Sequence, residues 1–140
     1  MFVLDTDFCI DWLRRKEYAR KALASVLPSE VAVSAVTVGE LLVGAYCAQM
    51  PGQETGKVLA FLKPIGVLEY GTAEATHFAG ISAVLRRQGQ LIGVPDAMIA
   101  ATAEVDRSTV ITKNLKHFQK VKDLKVVNWA VKPPKGASAR

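Results

Sequence analysis

Short apolar runs alternate along the chain with longer stretches in which apolar residues recur every three or four positions. Runs of a few residues that are rich in β-branched side chains and end at polar or turn-forming residues are typical of strands buried on both faces. We predict such strands at Phe2–Leu4, Val31–Ala35, Ile65–Leu68, Thr109–Thr112 and Val126–Trp129.

The longer stretches have the spacing of amphipathic helices. We predict helices at Asp7–Arg15, Glu17–Val26, from near Thr37 to before Pro51, Thr55–Leu62, Ala73–Gln88 and Pro95–Val105. Strands that alternate with helices form parallel sheets, because each connection crosses back over the sheet. The predicted fold class is therefore α/β, a three-layer sandwich whose central, mainly parallel sheet of about five strands is flanked by helices.

The length and composition fit a single compact domain, since the chain has 140 residues and half of them are apolar. We expect residues 1–131 to form this domain and the basic, proline-containing tail 132–140 to be disordered. The formal net charge of +5 suggests an anionic partner, with nucleic acid as the first candidate.

The cysteine usage and the first residues favour a cytoplasmic protein. Cys9 and Cys47 are too few for a disulfide framework and lie in no zinc-binding pattern. Asp5, Asp7 and Asp11 interrupt the stretch in which a secretory signal needs apolar residues. No apolar run reaches the roughly 20 residues of a membrane span.

Four polar side chains fall at the carboxyl ends of predicted strands or at the starts of the helices that follow. Asp5 ends the first strand, Glu40 follows the second, Asp96 opens a late helix and Asn114 follows the fourth strand. Ligands of open parallel sheets bind at this edge, which collects loops and the positive ends of helices. We therefore expect these residues to form one site.

Carboxylates gathered at such an edge need a counter-cation, because two of them about 4 Å apart repel by around 4 kcal/mol at an effective dielectric near 20. Hard oxygen ligands favour Mg²⁺ or Mn²⁺. Such a cation can activate water against a phosphodiester and neutralise charge on the phosphoryl oxygens. Asp5, Glu40 and Asp96 are the predicted catalytic and metal-binding residues, with Asn114 as a further candidate ligand.

Each acid also has a structural interpretation. Thr37 and Glu40 have the spacing of a capping box, and Asp96 could simply complement a helix dipole. We interpret Asp7 as the N-cap of the first helix and Asp11 as part of a solvated helix face.

The two histidines and the basic stretch near the C-terminus allow weaker inferences. We expect a structural role for His77 and for His117, with an RNA contact as the alternative for His117. Five lysines make this stretch the best candidate for a phosphate-facing surface, although charge runs are usually only solvated. They are Lys113, Lys116, Lys120, Lys122 and Lys125.

Five segments in order resemble the PIN-domain nucleases, and among them the VapC-type toxins of toxin-antitoxin pairs. They are Phe2–Asp7, Val33–Leu41, Ile92–Ala101, Val110–Phe118 and Leu124–Trp129, which together run across almost the whole chain. The resemblance implies a PIN-like fold and an endoribonuclease that depends on Mg²⁺ or Mn²⁺. It also implies a homodimer, higher toxin-antitoxin assemblies and neutralisation by a cognate antitoxin.

The family's acidic triad falls on Asp5, Glu40 and Asp96, with Thr6 and Thr112 as polar neighbours of the site. Many PIN domains have a fourth acid where this chain has Asn114, an amide that contributes no negative charge. With this amide, the resemblance does not imply a strongly held second cation. Asp7 is a candidate source of the missing charge.

Two other functions fit parts of the pattern. The Asp5-Thr6-Asp7 sequence after a strand is similar to the opening motif of haloacid-dehalogenase-like phosphatases, in which an aspartate is the nucleophile. That class needs a later pair of acids that this chain lacks near Asp96. The second alternative is a catalytically silent PIN module that binds RNA or an antitoxin.

Overall fold

The computed structural model describes residues 1–136, in which five strands alternate with helices. The strands are β1 (Phe2–Leu4), β2 (Val31–Ser34), β3 (Gly66–Leu68), β4 (Thr109–Ile111) and β5 (Val126–Val127). The helices are α1 (Thr6–Leu13), α2 (Glu17–Ala24), α3 (Ala35–Tyr46), α4 (Pro51–Leu62), α5 (Thr72–Arg87), α6 (Val94–Asp106) and α7 (Leu115–Phe118). None of these helices is long and apolar enough to cross a membrane.

All five strands pair in parallel, in the order β3-β2-β1-β4-β5. The chain adds β2 and β3 on one side of β1 and then crosses to add β4 and β5 on the other. The strand order therefore reverses between β1 and β4, where Val3 is in register with Val110. Connections diverge at such a switch point, and this leaves a crevice at the carboxyl ends of the two strands.

Helices cover both faces of the sheet and divide the core into two clusters. Leu4 and Ile111 face α1 to α4, together with Phe8, Leu41 and other buried side chains. Val3 and Val110, one position earlier on each strand, face the cluster of α5, α6 and α7. Both faces of β1 and β4 are apolar for this reason, which explains the continuous apolar runs at these strands in the sequence. The predicted three-layer α/β fold is confirmed.

Helix starts are where the structure departs most from the sequence prediction. The first helix begins at Thr6 rather than Asp7, and α3 begins at Ala35 rather than near Thr37. α3 ends at Tyr46, before Pro51 as predicted, but the next helix starts at Pro51 rather than Thr55. Proline is well accepted at the first helical position, since the amide hydrogen it lacks would have no partner within the helix there.

Two short elements were not predicted, and the last strand is shorter than expected. A 3₁₀ turn covers Pro28–Glu30, and α7 provides one helical turn after β4. β5 ends at Val127 because the Asn128 side chain accepts a hydrogen bond from the Ala130 amide at 2.9 Å and turns the chain. Residues 132–136 contain no helix or strand, and residues 137–140 lie outside the described residues. The predicted disorder of the tail 132–140 stays a prediction.

Candidate metal centre

The switch point between β1 and β4 places Asp5 beside Thr112 at the carboxyl edge of the sheet. Asp5 directly follows β1, and its backbone amide donates to the carbonyl oxygen of Ile111 in β4 at 3.0 Å. Thr112 directly follows β4 and is hydrogen-bonded through its side chain to the Asp5 carboxyl group. The two strand ends thus bring a carboxylate and a hydroxyl together.

Asp5 is buried and is also the N-cap of α1. Its backbone is extended, and its Oδ1 accepts a hydrogen bond from the Phe8 amide at 2.8 Å. Only 2% of the residue is exposed. Burial, reinforced by the carboxylates of Asp7 and Asp96, raises the pKa of Asp5 to about 7, against the lowering effect of the hydrogen bonds from Thr112 and Phe8.

Glu40 lies in the second turn of α3, where it contacts α1 instead of capping its own helix. The Thr6 hydroxyl donates to Glu40 Oε1 at 2.6 Å, and the Thr37 hydroxyl lies 3.1 Å from the Thr6 oxygen. Ser34 is the N-cap, since its hydroxyl accepts from the Thr37 amide at 3.2 Å. The capping-box interpretation of Thr37 and Glu40 is therefore wrong.

Asp96 lies in the first turn of α6, two residues after the helix begins at Val94. Its side chain is 28% exposed, and Oδ2 lies 3.1 Å from Nδ1 of His117 in α7. Asp96 is also close enough to Asp5 to disfavour the ionised form of that residue. The structure therefore places two of the three predicted acids in electrostatic contact.

Asn114 links the end of β4 to His117. Its backbone amide donates to the Thr112 hydroxyl at 2.8 Å, and its side-chain Nδ2 lies 2.7 Å from His117 Nδ1. The amide of Asn114 therefore lies against the imidazole. The sequence did not predict that His117 lies beside Asp96. The packing of α7 on α6 brings these two residues together, and it cannot be inferred from spacing along the chain.

Asp7 and Asp11 occupy other positions than predicted. Asp7 is exposed in the first turn of α1, where Asp5 already provides the cap. Asp11 is not part of a solvated face, since its Oδ2 accepts a hydrogen bond from the Tyr18 hydroxyl at 2.5 Å and lies 3.3 Å from Lys113 Nζ. Lys113 follows Thr112, so this ion pair places a lysine beside the candidate metal centre.

The second histidine lies apart from the acids. His77 Nδ1 is 2.6 Å from Glu104 Oε1 in a pair between α5 and α6, and both side chains are more than a third exposed. This contact fits the structural role expected for His77.

The donor set has the chemistry that a hard cation requires. Asp5, Glu40 and Asp96 offer only carboxylate oxygens, and none of the ion pairs within residues 1–136 involves Asp5 or Glu40. In the part of the chain that the structure describes, no three His, Cys, Asp or Glu side chains lie close enough together to hold one ion. Mg²⁺ typically takes one or two carboxylates and keeps several waters, so a pair at the switch point fits such an ion.

Comparison with known proteins gives matches along nearly the whole chain. A family model described as the PIN domain matches residues 2–124, a range that includes Asp5, Glu40, Asp96 and Asn114. The tRNA(fMet)-specific endonuclease VapC of Shigella flexneri is 34% identical over 129 residues, which cover 92% of this chain and 98% of the relative.

Solved structures agree with this match. The DNA-bound VapBC complex from Salmonella typhimurium contains a chain that is 32% identical, superposes with a TM-score of 0.87, and matches over 91% of this chain and 97% of its own length. A toxin-antitoxin complex from Klebsiella pneumoniae contains a chain with 28% identity and a TM-score of 0.68, over 92% and 98% of the two chains.

Proposed function

Because this chain belongs to the PIN-domain family and, within it, to the VapC ribonucleases, we propose that it is a toxin whose Asp5 and Asp96 hold Mg²⁺ or Mn²⁺ for RNA hydrolysis, with Glu40 as the third acid of the site. The observation that carries the proposal is the buried Asp5 carboxyl group at the switch point. It lies beside the carboxylates of Asp7 and Asp96 and makes no ion pair with a basic side chain of residues 1–136. Burial of a charge without a partner is costly, and a bound cation removes that cost.

Bound at Asp5 and Asp96, the cation would lower the pKa of water and neutralise charge on the phosphoryl oxygens of the RNA. The chain's own residues hold the acids in place. Hydrogen bonds from Thr112 and from the Phe8 amide hold the Asp5 carboxyl group in one orientation. The hydrogen bond from Thr6 to Oε1 does the same for Glu40. Hydroxyl and amide partners of this kind keep ligand rotamers fixed before the ion arrives.

The RNA substrate is proposed from the family and from the charge of the chain. The formal charge of +5 favours contact with a polyanion, and Lys113, held by Asp11 at 3.3 Å, lies at the edge of the site. The Shigella flexneri relative is named for initiator tRNA, so this tRNA is the first substrate to test. Ribosomal and messenger RNA are the alternatives.

The proposed protein partners are a cognate antitoxin and a second copy of the chain. VapBC and toxin-antitoxin complexes among the structural relatives support the antitoxin. An exposed apolar strip on α3 supports the homodimer: Val43 is 63% exposed and Tyr46, one turn later on the helix, is 61% exposed. Residues at these positions share one helical face. The expected cytoplasmic location stays a prediction.

Cleavage of labelled initiator tRNA and of an unstructured RNA by the purified full-length chain tests the proposal. We expect cleavage with Mg²⁺ or Mn²⁺, none with EDTA, and a loss of at least about a hundredfold in Asp96→Asn, which removes one ligand charge. The matched control is Asp106→Asn, at the other end of the same helix.

Three results would contradict the proposal. Cleavage that persists unchanged in EDTA and in Asp96→Asn would exclude the acids as the catalytic site. No cleavage of any RNA, combined with tight RNA or antitoxin binding, would favour the silent module, and turnover of a phosphomonoester through an aspartyl-phosphate would favour the phosphatase.

A further inference from the structure

The contact between Asn114, His117 and Asp96 connects the end of β4 to the start of α6. The protein fold holds both Asn114 and His117 in place. The Asn114 backbone is fixed by its bond to Thr112, and Phe118, which follows His117, is completely buried in the core between α6 and α7. The imidazole is therefore held at Asp96 by the fold and does not reach it as a flexible surface side chain.

Hydrogen-bond chemistry determines the direction of this contact. A carboxylate has only acceptor oxygens, so the hydrogen between Asp96 Oδ2 and the ring, 3.1 Å apart, lies on His117 Nδ1. An Nδ1 that carries a hydrogen cannot accept one from Asn114. A half-turn of the Asn114 amide exchanges its nitrogen, placed 2.7 Å from Nδ1, for its oxygen. The single Nδ1 hydrogen is then shared between Asp96 Oδ2 and the Asn114 oxygen.

We propose that His117 is a positioning residue that holds the Asp96 carboxylate through Oδ2, and that Asn114 orients this imidazole instead of binding the cation. The inference rests on the proposed function, because it assigns these two residues a role toward the same ion. It explains how the site can work with an amide at position 114, since an amide can orient an imidazole without adding charge to the site.

The second ring nitrogen of His117, Nε2, could instead bind RNA, and the test must distinguish this role from the positioning of Asp96. The His117 side chain is 44% exposed, and Nε2 makes no hydrogen bond within residues 1–136. A ring that contacted an RNA phosphate through Nε2 would contribute to RNA binding. A ring that holds Asp96 contributes to cation binding, which can be measured without any RNA.

Titration calorimetry of Mn²⁺ into the EDTA-stripped full-length chain measures this contribution. His117→Phe keeps a ring of similar volume but has no nitrogen, and His117→Asn places an amide donor near the position of Nδ1. We expect His117→Phe to weaken Mn²⁺ binding about tenfold and His117→Asn to restore it to within about threefold. Gln119→Ala, an exposed residue directly after α7, is the matched control and should leave Mn²⁺ affinity unchanged.

A double-variant cycle tests the role of Asn114. In a His117→Phe background, Asn114→Ala should cause no further loss of Mn²⁺ affinity, because the amide acts through the ring. A further tenfold loss would show that Asn114 binds the ion directly and would overturn the proposal. In RNA cleavage, His117→Phe should lower kcat and leave KM for RNA within about twofold.

Three other results would also overturn the assignment. One is unchanged Mn²⁺ affinity in His117→Phe, and a second is a defect confined to KM for RNA. The third is a His117→Asn variant that binds Mn²⁺ no better than His117→Phe. A wild-type chain that binds no Mn²⁺ would contradict the proposed function itself, and this role would fall with it.

Discussion

Asp5 combines two tasks that make opposite demands on its side chain. As the N-cap of α1 it accepts a hydrogen bond from Phe8, and an asparagine would do this equally well. As a buried carboxyl group beside Asp7 and Asp96, with a pKa raised to about 7, it destabilises the ion-free fold when it is charged. An aspartate at this position therefore favours ion binding at the expense of stability.

Replacement of Asp5 by asparagine should stabilise the chain in EDTA at pH 8. A carboxyl group whose pKa is higher in the folded than in the unfolded state stabilises the fold fully below about pH 4, and this contribution is lost as the pH rises toward 7. The amide avoids this loss, keeps the bond from Phe8 and can donate to Thr112. Urea unfolding should show a gain on the order of 1 to 3 kcal/mol at pH 8 and little difference at pH 4.

Added Mn²⁺ should reverse the ranking of the two chains. An ion that binds only the folded state raises stability with its concentration, so wild type should gain and Asp5→Asn should not. Equal stabilisation of both chains by Mn²⁺, or a less stable Asp5→Asn variant in EDTA at pH 8, would contradict this assignment of Asp5.

The sequence predicted the positions of the three acids better than it predicted the side chains that contact them. Asp5, Glu40 and Asp96 were identified because strand ends and helix starts are readable from apolar runs and share one edge of a parallel sheet. The contacts of Glu40 with Thr6 and of Asp96 with His117 were not predicted. They depend on side chains from elements that are distant in sequence, and spacing along one element carries no information about them.

At the scale of elements, the cap of α3 determines which face of that helix presents Glu40. A start at Thr37 would have placed Glu40 in the first turn, bonded to its own backbone. The start at Ala35, with Ser34 as the cap, moves Glu40 into the second turn and leaves its carboxylate for Thr6. Sequence patterns predict helix boundaries only to within a few residues. Here a difference of two residues in the start of α3 decides whether Glu40 caps its own helix or lies at the site.

Ser34→Ala should therefore destabilise the chain by about 1 kcal/mol, since the Thr37 amide loses its side-chain acceptor. Glu40→Gln should change stability by less than about 0.5 kcal/mol, because Glu40 caps nothing and the amide oxygen still accepts from Thr6. Urea denaturation of both variants measures the difference. Equal losses in the two variants would restore the capping box that the structure contradicts.

At the scale of the whole molecule, the order β3-β2-β1-β4-β5 explains why the sequence predicted the architecture well. The three inner strands β2, β1 and β4 are mostly buried and give apolar runs, and the helices between the strands are long enough to show their period. The exception is α7, whose four residues are too few for a periodic pattern. Surfaces that meet other molecules leave no such pattern, and the exposed strip on α3 became apparent only from the structure.

Light scattering after gel filtration tests the proposed homodimer. Wild type should have twice the 15.1 kDa mass of one chain at about 50 µM, and Val43→Asp should be a monomer because it places a charge in the apolar strip of α3. Val131→Asp is the matched control, since Val131 is 80% exposed and lies outside that strip. A monomeric wild type would contradict the homodimer, and a Val43→Asp variant that stays dimeric would place the interface elsewhere.

The central claim is that Asp5, which follows β1, and Asp96 in α6 bind one hard cation at the switch point, with Glu40 of α3 as the third acid of the site. Its most direct test is a crystal of the full-length chain soaked in Mn²⁺, with diffraction recorded at the manganese absorption edge. We predict one anomalous peak within about 2.5 Å of carboxylate oxygens of Asp5 and Asp96, on the side that Glu40 faces. Saturating Mn²⁺ with no peak at this edge of the sheet, or with a peak bound only by other residues, would contradict the account.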